Sequence, residues 1–293
     1  MSIPENQDDP LESDSMPKRQ IAPPEPQYRW QEAHFSPPPN WDPFLDAVLQ
    51  PPSNYDWTDD DIAAMSLSGC ISIFVLTFLW LVFYLNPADW EEFLYGGGGE
   101  KAAETLVGMM VASAIALLGS AYVFAIRKHP QRWRSVGLRS TTKLWLIGTM
   151  VIGILFMPLN LLLTIASQQL LDTPEINFSG GDSAAPFPIA EFFGVLFMVA
   201  VVVPIVEEIF FRGIIYKWLR QRAGLPIGLL ISSIAFGGLH ATTSLPAISL
   251  LGGLCALAYE FSDSLWPAVV IHATNNALAI IIAYVYFSSP LMV

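Results

Sequence analysis

The chain has 293 residues, 53% of them hydrophobic, with 26 acids against 14 Lys/Arg and a formal net charge of −12; its mean hydropathy is +0.46. That composition excludes an ordinary soluble globular domain, which at this length is less apolar and more charged. The acidic balance leaves no basic footprint for nucleic acid. The two cysteines, Cys70 and Cys255, both lie in apolar runs and read as packing residues, not as a disulfide or a metal pair.

Residues 1–61 hold 12 of the 23 prolines, 13 of the 26 acids and three of the 14 Lys/Arg. Runs such as "APPEPQ", "SPPPNWDP" and "LQPPSN" favour extended polyproline II and cannot build a packed core, which predicts a disordered tail. No apolar segment of secretory-signal type opens the chain. Tyr28, Trp30, Trp41, Tyr55 and Trp57 punctuate the tail. The first reading is a solvated spacer; docking on a partner or on the membrane surface is the alternative.

From residue 62 onward the apolar residues form runs near the ~20 residues that cross ~30 Å of hydrocarbon. They predict an all-α polytopic transmembrane bundle of about seven spans: Ile62–Leu85, Ala103–Ile126, Leu144–Ala166, Ile189–Phe211, Leu225–Ala241, Pro246–Phe261 and Leu265–Phe287. The chain then divides into the tail (1–61), N-terminal spans (62–187) and a core (188–287). Lys/Arg cluster between the second and third spans and after the fourth, while the loops on the other side offer only Lys101. Positive loops stay cytoplasmic, so the tail is expected in the cytoplasm; in a bacterium the membrane would be the plasma (inner) membrane. Trp133, Tyr216 and Trp218 are expected in an interfacial aromatic belt. The glycine-rich stretches "GGGG" at 96–99 and "FSGGDSAAPFP" from Phe178 read as outer loops. No internal repeat, P-loop, dinucleotide fingerprint or HExxH motif is present.

Charged and polar side chains inside such spans are costly, so they are commonly paired and functional. In the last four spans these are Glu207, Glu208, Arg212, His240, His272 and Asn276, with Asn275 beside the last. Glu260 and Asp263 read as solvated helix-end residues. Glu208 and Arg212 are i,i+4 in the favoured order and can neutralise each other on one helical face. Glu207 points about 100° away and has no such arginine. It is the better candidate for proton chemistry, and Glu208 the better supporting residue. His272 and Asn276 share a face of the last span. His240 follows Phe236 by one turn, beside Gly237 and Gly238. Singly, each residue is equally well a structural hydrogen-bonding group. Together, a carboxylate and two imidazoles on neighbouring spans are the parts of a water-activating site. Depth fits for two of the three: counted from the nearest basic residue, Glu207 and His272 lie about 15 and 14 Å in, whereas His240 comes out near 27 Å unless its span is kinked.

Three motifs in order, "EEIFFR" (Glu207–Arg212), "FGGLH" (Phe236–His240) and "HATNN" (His272–Asn276), resemble the CAAX protease and bacteriocin-processing (CPBP, or Abi) family. The resemblance covers roughly residues 188–287. It implies an intramembrane endopeptidase of the type II CAAX prenyl protease kind, acting on a peptide or lipidated protein substrate in the bilayer. By position, Glu207 would activate the hydrolytic water with His240 assisting. His272 and Asn276 would form the oxyanion hole, and Glu208, Arg212 and Phe236 would support the site. The family is also labelled metalloprotease, and Glu207, His240 and His272 would make a His₂Glu zinc set. Zinc stays open as a cofactor beside a slightly favoured metal-independent mechanism. Outside the protease reading, the same charges would suit an ion- or proton-coupled transporter, and the tail a non-catalytic membrane adaptor.

Overall fold

The computed structural model describes residues 56–84, 102–171, 188–240 and 244–287. Most of the Pro-rich segment, with Tyr28, Trp30, Trp41 and Tyr55, and both glycine-rich outer stretches lie outside the described residues. Among the described residues there are helices and short turns and no strands. We number the helices α1 (Asp59–Tyr84), α2 (Ala102–Phe124), α3 (Lys143–Leu171), α4 (Ile189–Phe197), α5 (Val203–Phe210), α6 (Lys217–Gly237), α7 (Leu245–Ser262) and α8 (Leu265–Phe287). Two π-helical turns, Met198–Val202 and Phe211–Tyr216, join α4, α5 and α6 into one continuous stretch.

Among the described residues six helical stretches are long and apolar enough to cross a membrane; one of them, Ile189–Gly237, has 49 residues. That stretch is too long for one pass at 1.5 Å per residue. It breaks at Gly224, whose φ of 79° and ψ of 175° leave the helical region. A glycine can take this conformation without a Cβ clash. Beyond it the chain doubles back. A Cβ at Gly228 would stand 2.9 Å from the backbone nitrogen of Arg220, residues that a straight helix would hold about 12 Å apart. The long stretch therefore makes two passes, in line with about seven in all. The reversal also removes the depth anomaly of His240. Counted from the shared level of Arg220 and Gly228, both Glu207 and His240 lie about 20 Å along their helices.

α5 and the two π-turns occupy the centre. They pack on α2, α6, α7 and α8, while α1 lies outside on α2, and α3 outside on α8 and α7. Gly153 of α3 lets the α8 backbone come close: a Cβ there would stand 2.9 Å from the carbonyl oxygen of Ile271 and from Cβ of Thr274. Gly213 does the same for the connection between α2 and α3, with Val136 Cβ at 2.8 Å from such a Cβ.

The charged end of the bundle is tied by ion pairs. α1 starts at Asp59, inside the segment assigned to the tail. Thr58 caps it: its Oγ1 donates to Asp61 Oδ2 at 2.8 Å and accepts from the Asp61 N–H at 3.1 Å, a reciprocal capping arrangement. Trp57 is buried, with Nε1 donating to the carbonyl of Ala125. Asp56 receives the Lys217 ammonium, the Gln221 side-chain amide at 2.7 Å and His129 Nε2 at 3.1 Å. Arg139 pairs with the exposed Asp263, and Lys128 with Asp61. Two expectations are corrected here. Glu260 is not simply solvated: it accepts from the Tyr216 hydroxyl at 2.7 Å and from Arg220 Nε at 2.9 Å. Tyr216 is fully buried and so is not a belt residue, whereas Trp133 is exposed and stacks on Tyr122.

Gly153→Val is expected to push α3 off α8 and destabilise by about 1–3 kcal/mol, whereas Gly148→Ala, whose Cβ meets nothing within 4 Å, leaves the melting temperature in detergent unchanged. A second expectation concerns Asp56. Burial raises its pKa, but Lys217, Gln221 and His129 outweigh that and hold it below the ordinary 3.8. A carboxyl depressed on folding contributes stability that is complete above its unfolded value and fades as pH falls through the folded one. The melting temperatures of wild type and Asp56→Asn should therefore converge on acidification from about pH 5 to about pH 2.

Candidate active site

The first motif lies on α5 and the second π-turn. Helical spacing places Glu208 and Arg212 on one face, and both are fully buried with Arg212 Nη1 donating to Glu208 Oε1 at 3.0 Å. A second guanidinium nitrogen, Nη2, donates to the carbonyl of Gly252 at 3.0 Å, a carbonyl of α7 that no sequence motif flagged. The Phe236 ring covers the guanidinium face at 4.2 Å, a cation–π contact that replaces part of the lost hydration. Arg212 is thus held from three sides.

His272 completes the node from α8. Its Nδ1 stands 2.9 Å from Glu208 Oε1. A carboxylate can only accept, so Nδ1 carries the proton in this contact and Nε2 is turned the other way. Nε2 lies 3.8 Å from Glu207 Oε2, too long for a direct hydrogen bond and close enough for one atom to sit beside both. The imidazole is therefore anchored to Glu208, not to Glu207. Glu207 itself is half-buried, with its side chain 18% exposed, and its Oε2 has no hydrogen-bond partner. The two carboxylates differ as their helical positions imply: Glu208 is held through Oε1 by Arg212 and His272, with its Oε2 unpartnered, whereas Glu207 has neither contact.

Phe236 links the second motif to the rest. Its ring meets His272 edge-on at 5.4 Å and His240 at 5.3 Å. His240 lies just past the end of α6, with Nδ1 at 3.0 Å from the carbonyl of Phe236. The third motif divides between two partners. Asn276 Nδ2 donates to the carbonyl of Val199 at 3.1 Å. Its neighbour Asn275 is buried and accepts from Asn160 Nδ2 of α3 at 3.1 Å. Sequence reasoning missed Asn160, although a lone asparagine in "PLNLLL" is itself a sign that a polar partner lies across the interface.

A His₂Glu metal set requires three donor atoms converging on one point about 2 Å away. Among the described residues no group of three or more His, Cys, Asp or Glu side chains meets that condition. His272 Nδ1 bonded to Glu208 leaves Nε2 available, as in metal-ligating histidines, so it is the lack of three converging donors that decides. The residues as placed do not fit zinc. A groove of about 860 Å³ between α1, α2 and α4 is lined by Leu79, Val111, Glu104 and Glu191 among others, and includes none of the motif residues.

Residues 189–278 match the family model described as type II CAAX prenyl endopeptidase Rce1-like. Over these residues, about a third of the chain, the protein is similar to that family. The matched segment contains all three motifs and every side chain of the node just described, whereas Asn160 lies outside it. No curated protein and no solved structure matches the chain.

Removing Arg212 tests the node. Arg212→Met leaves the Glu208 charge buried beside His272 alone and is expected to destabilise by about 3–5 kcal/mol. The double variant Arg212→Met/Glu208→Gln should recover part of that loss, both read as melting temperatures in detergent. Equal melting of wild type and Arg212→Met would contradict the assignment of Arg212 as the counter-charge.

Proposed function

We propose that the protein is an intramembrane endopeptidase that hydrolyses a peptide bond of a membrane-associated, prenylated substrate, with Glu207 as the base that activates water. The observation that carries this reading is the contrast between the two carboxylates. Glu208 is fully buried and held through Oε1 by both Arg212 and His272, whereas Glu207 has its side chain 18% exposed; its buried Oε2 lies 3.8 Å from His272 Nε2 and, like Oε2 of Glu208, has no hydrogen-bond partner. An open carboxylate beside a fixed imidazole is what general-base catalysis of hydrolysis requires.

In this mechanism Glu207 accepts a proton from a water molecule as the water oxygen bonds to the scissile carbonyl carbon. The carbonyl π electrons move onto oxygen, giving a tetrahedral oxyanion. The Asn276 carboxamide supplies a donor toward that oxygen; His272, kept in one orientation by Glu208, adds a second only in the form that carries a proton on Nε2 as well as on Nδ1. Collapse breaks the C–N bond, and Glu207 returns its proton to the departing amine. His240, at the mouth of the site, assists in holding the water. Arg212 holds the Glu208 side chain in place, so that His272 does not rotate away. The bilayer supplies the second half of specificity, because a prenyl chain brings the scissile peptide to the depth of Glu207.

Orientation belongs to the same reading. Lys128, Arg139, Lys217, Arg220 and Arg222 gather at one end of the bundle with their acidic partners. Positive ends face the cytoplasm, which supports a cytoplasmic start of α1.

The test uses protein reconstituted in vesicles with a fluorogenic CAAX peptide, prenylated or not. Wild type is expected to cleave the prenylated form preferentially. Glu207→Gln should lower kcat by about 10²–10⁴-fold, and a chelator should leave the wild-type rate unchanged. Undiminished cleavage by Glu207→Gln would overturn the mechanism, and absence of cleavage of every peptide by wild type would overturn the activity.

A further inference from the structure

The carbonyl of Val199 has no backbone partner available, and the reason lies in the sequence. In an α-helix it would accept from the N–H of Val203, but across the π-turn that N–H is bonded to the carbonyl of Met198. In a continued π-helix it would accept from the next N–H along. That residue is Pro204, in the first turn of α5, which has none. The oxygen is orphaned in both registers. An unsatisfied carbonyl inside a bundle is costly, and the side chain that fills the vacancy is Asn276, whose Nδ2 donates at 3.1 Å.

We propose that Pro204 is a positioning residue of the active site, acting through Asn276. By withholding an N–H from Val199 it reserves that oxygen for one amide hydrogen of Asn276. The contact fixes the carboxamide at Val199, eight residues before Glu207 along the chain, and leaves its second N–H free. The Asn doublet is held in two directions, because Asn275, about 100° round α8 from Asn276, is held by Asn160. α8 therefore cannot rotate about its axis without losing one of two buried hydrogen bonds, and His272, one turn from Asn276, keeps Nδ1 on Glu208. The π-turn and the proline form one device: the turn diverts the N–H of Val203, and the proline removes the only substitute.

The consequence separates stability from activity. Pro204→Ala restores an N–H that can satisfy Val199 and improves helix propensity, so the melting temperature should stay equal or rise. Freed of its acceptor, Asn276 loses its fixed orientation. A proline that merely kinked the helix would give no such split. The catalytic consequence rests on the peptidase reading; the structural coupling does not.

The experiment is a double-mutant cycle of Pro204→Ala and Asn276→Ala, with melting in detergent and peptide cleavage in vesicles measured on each variant. In melting, Asn276→Ala should lower stability in wild type, where it orphans the Val199 carbonyl, and clearly less in the Pro204→Ala background. Additive effects would overturn the proposal whether or not any peptide is cleaved. In cleavage, Pro204→Ala alone should lower kcat about tenfold or more, the size seen when the partners that orient a site residue are lost, with KM within about twofold and no further loss from Pro204→Ala once Asn276 is alanine. Full kcat in Pro204→Ala would overturn the positioning role. Failure of wild type to cleave any peptide would count against the peptidase reading alone, with the melting cycle still deciding the coupling.

Discussion

The contact on which the rest of the site depends is the buried ion pair between Arg212 and Glu208. A guanidinium and a carboxylate removed from water each carry a desolvation penalty of several kcal/mol, and they are tolerated only when geometry and further hydrogen bonds offset it. Here the offset comes from three directions: the carbonyl of Gly252, the ring face of Phe236 and the imidazole of His272. Those partners belong to α7, α6 and α8. One charged pair therefore draws three helices around α5, and the same pair fixes which way His272 faces. Stability and the orientation of His272 meet in one interaction, which is why Glu208 reads as a scaffold beside the carboxylate proposed to activate water.

Departures from regular helix are concentrated around this node. A π-turn precedes α5, another follows it, and Gly224 reverses the chain eight residues after the second ends. Each has a role that a straight helix could not fill. The first exposes the carbonyl that seats Asn276. The second carries Arg212 and brings Gly213 against Val136. The reversal returns α6 beside the strand of chain it has just left, so that Phe236 can cover Arg212. Single-turn π segments are uncommon and concentrate at functional sites, and here their hydrogen-bond pattern gives the physical reason.

Much of this was legible in the sequence because helical periodicity is rigid. The i,i+4 spacing of Glu208 and Arg212 made them partners, and the 100° rotation per residue separated Glu207 from them. The apolar runs gave the bundle and about seven spans. What escaped was tertiary or depended on backbone bonding. His272 lies nearer to Glu208 than to Glu207 because α8 packs on α5 at one particular rotation, which no local spacing encodes. The excess depth inferred for His240 came from treating the chain after Arg222 as one straight helix, when Gly224 turns it back. Tyr216 looked interfacial from its place among basic residues, yet Glu260 offers it a buried acceptor. Asn160, four spans earlier, could be connected with Asn275 only once α3 and α8 were seen side by side.

The central claim is that Glu207 activates water and does not itself attack the peptide. Single-turnover cleavage of a prenylated peptide in H₂¹⁸O, followed by mass spectrometry of the product and of the Glu207-containing fragment of the enzyme, addresses it directly. The account predicts one ¹⁸O in the new carboxylate of the product and none in Glu207. Label in the Glu207 carboxyl would reveal a covalent anhydride intermediate and contradict it.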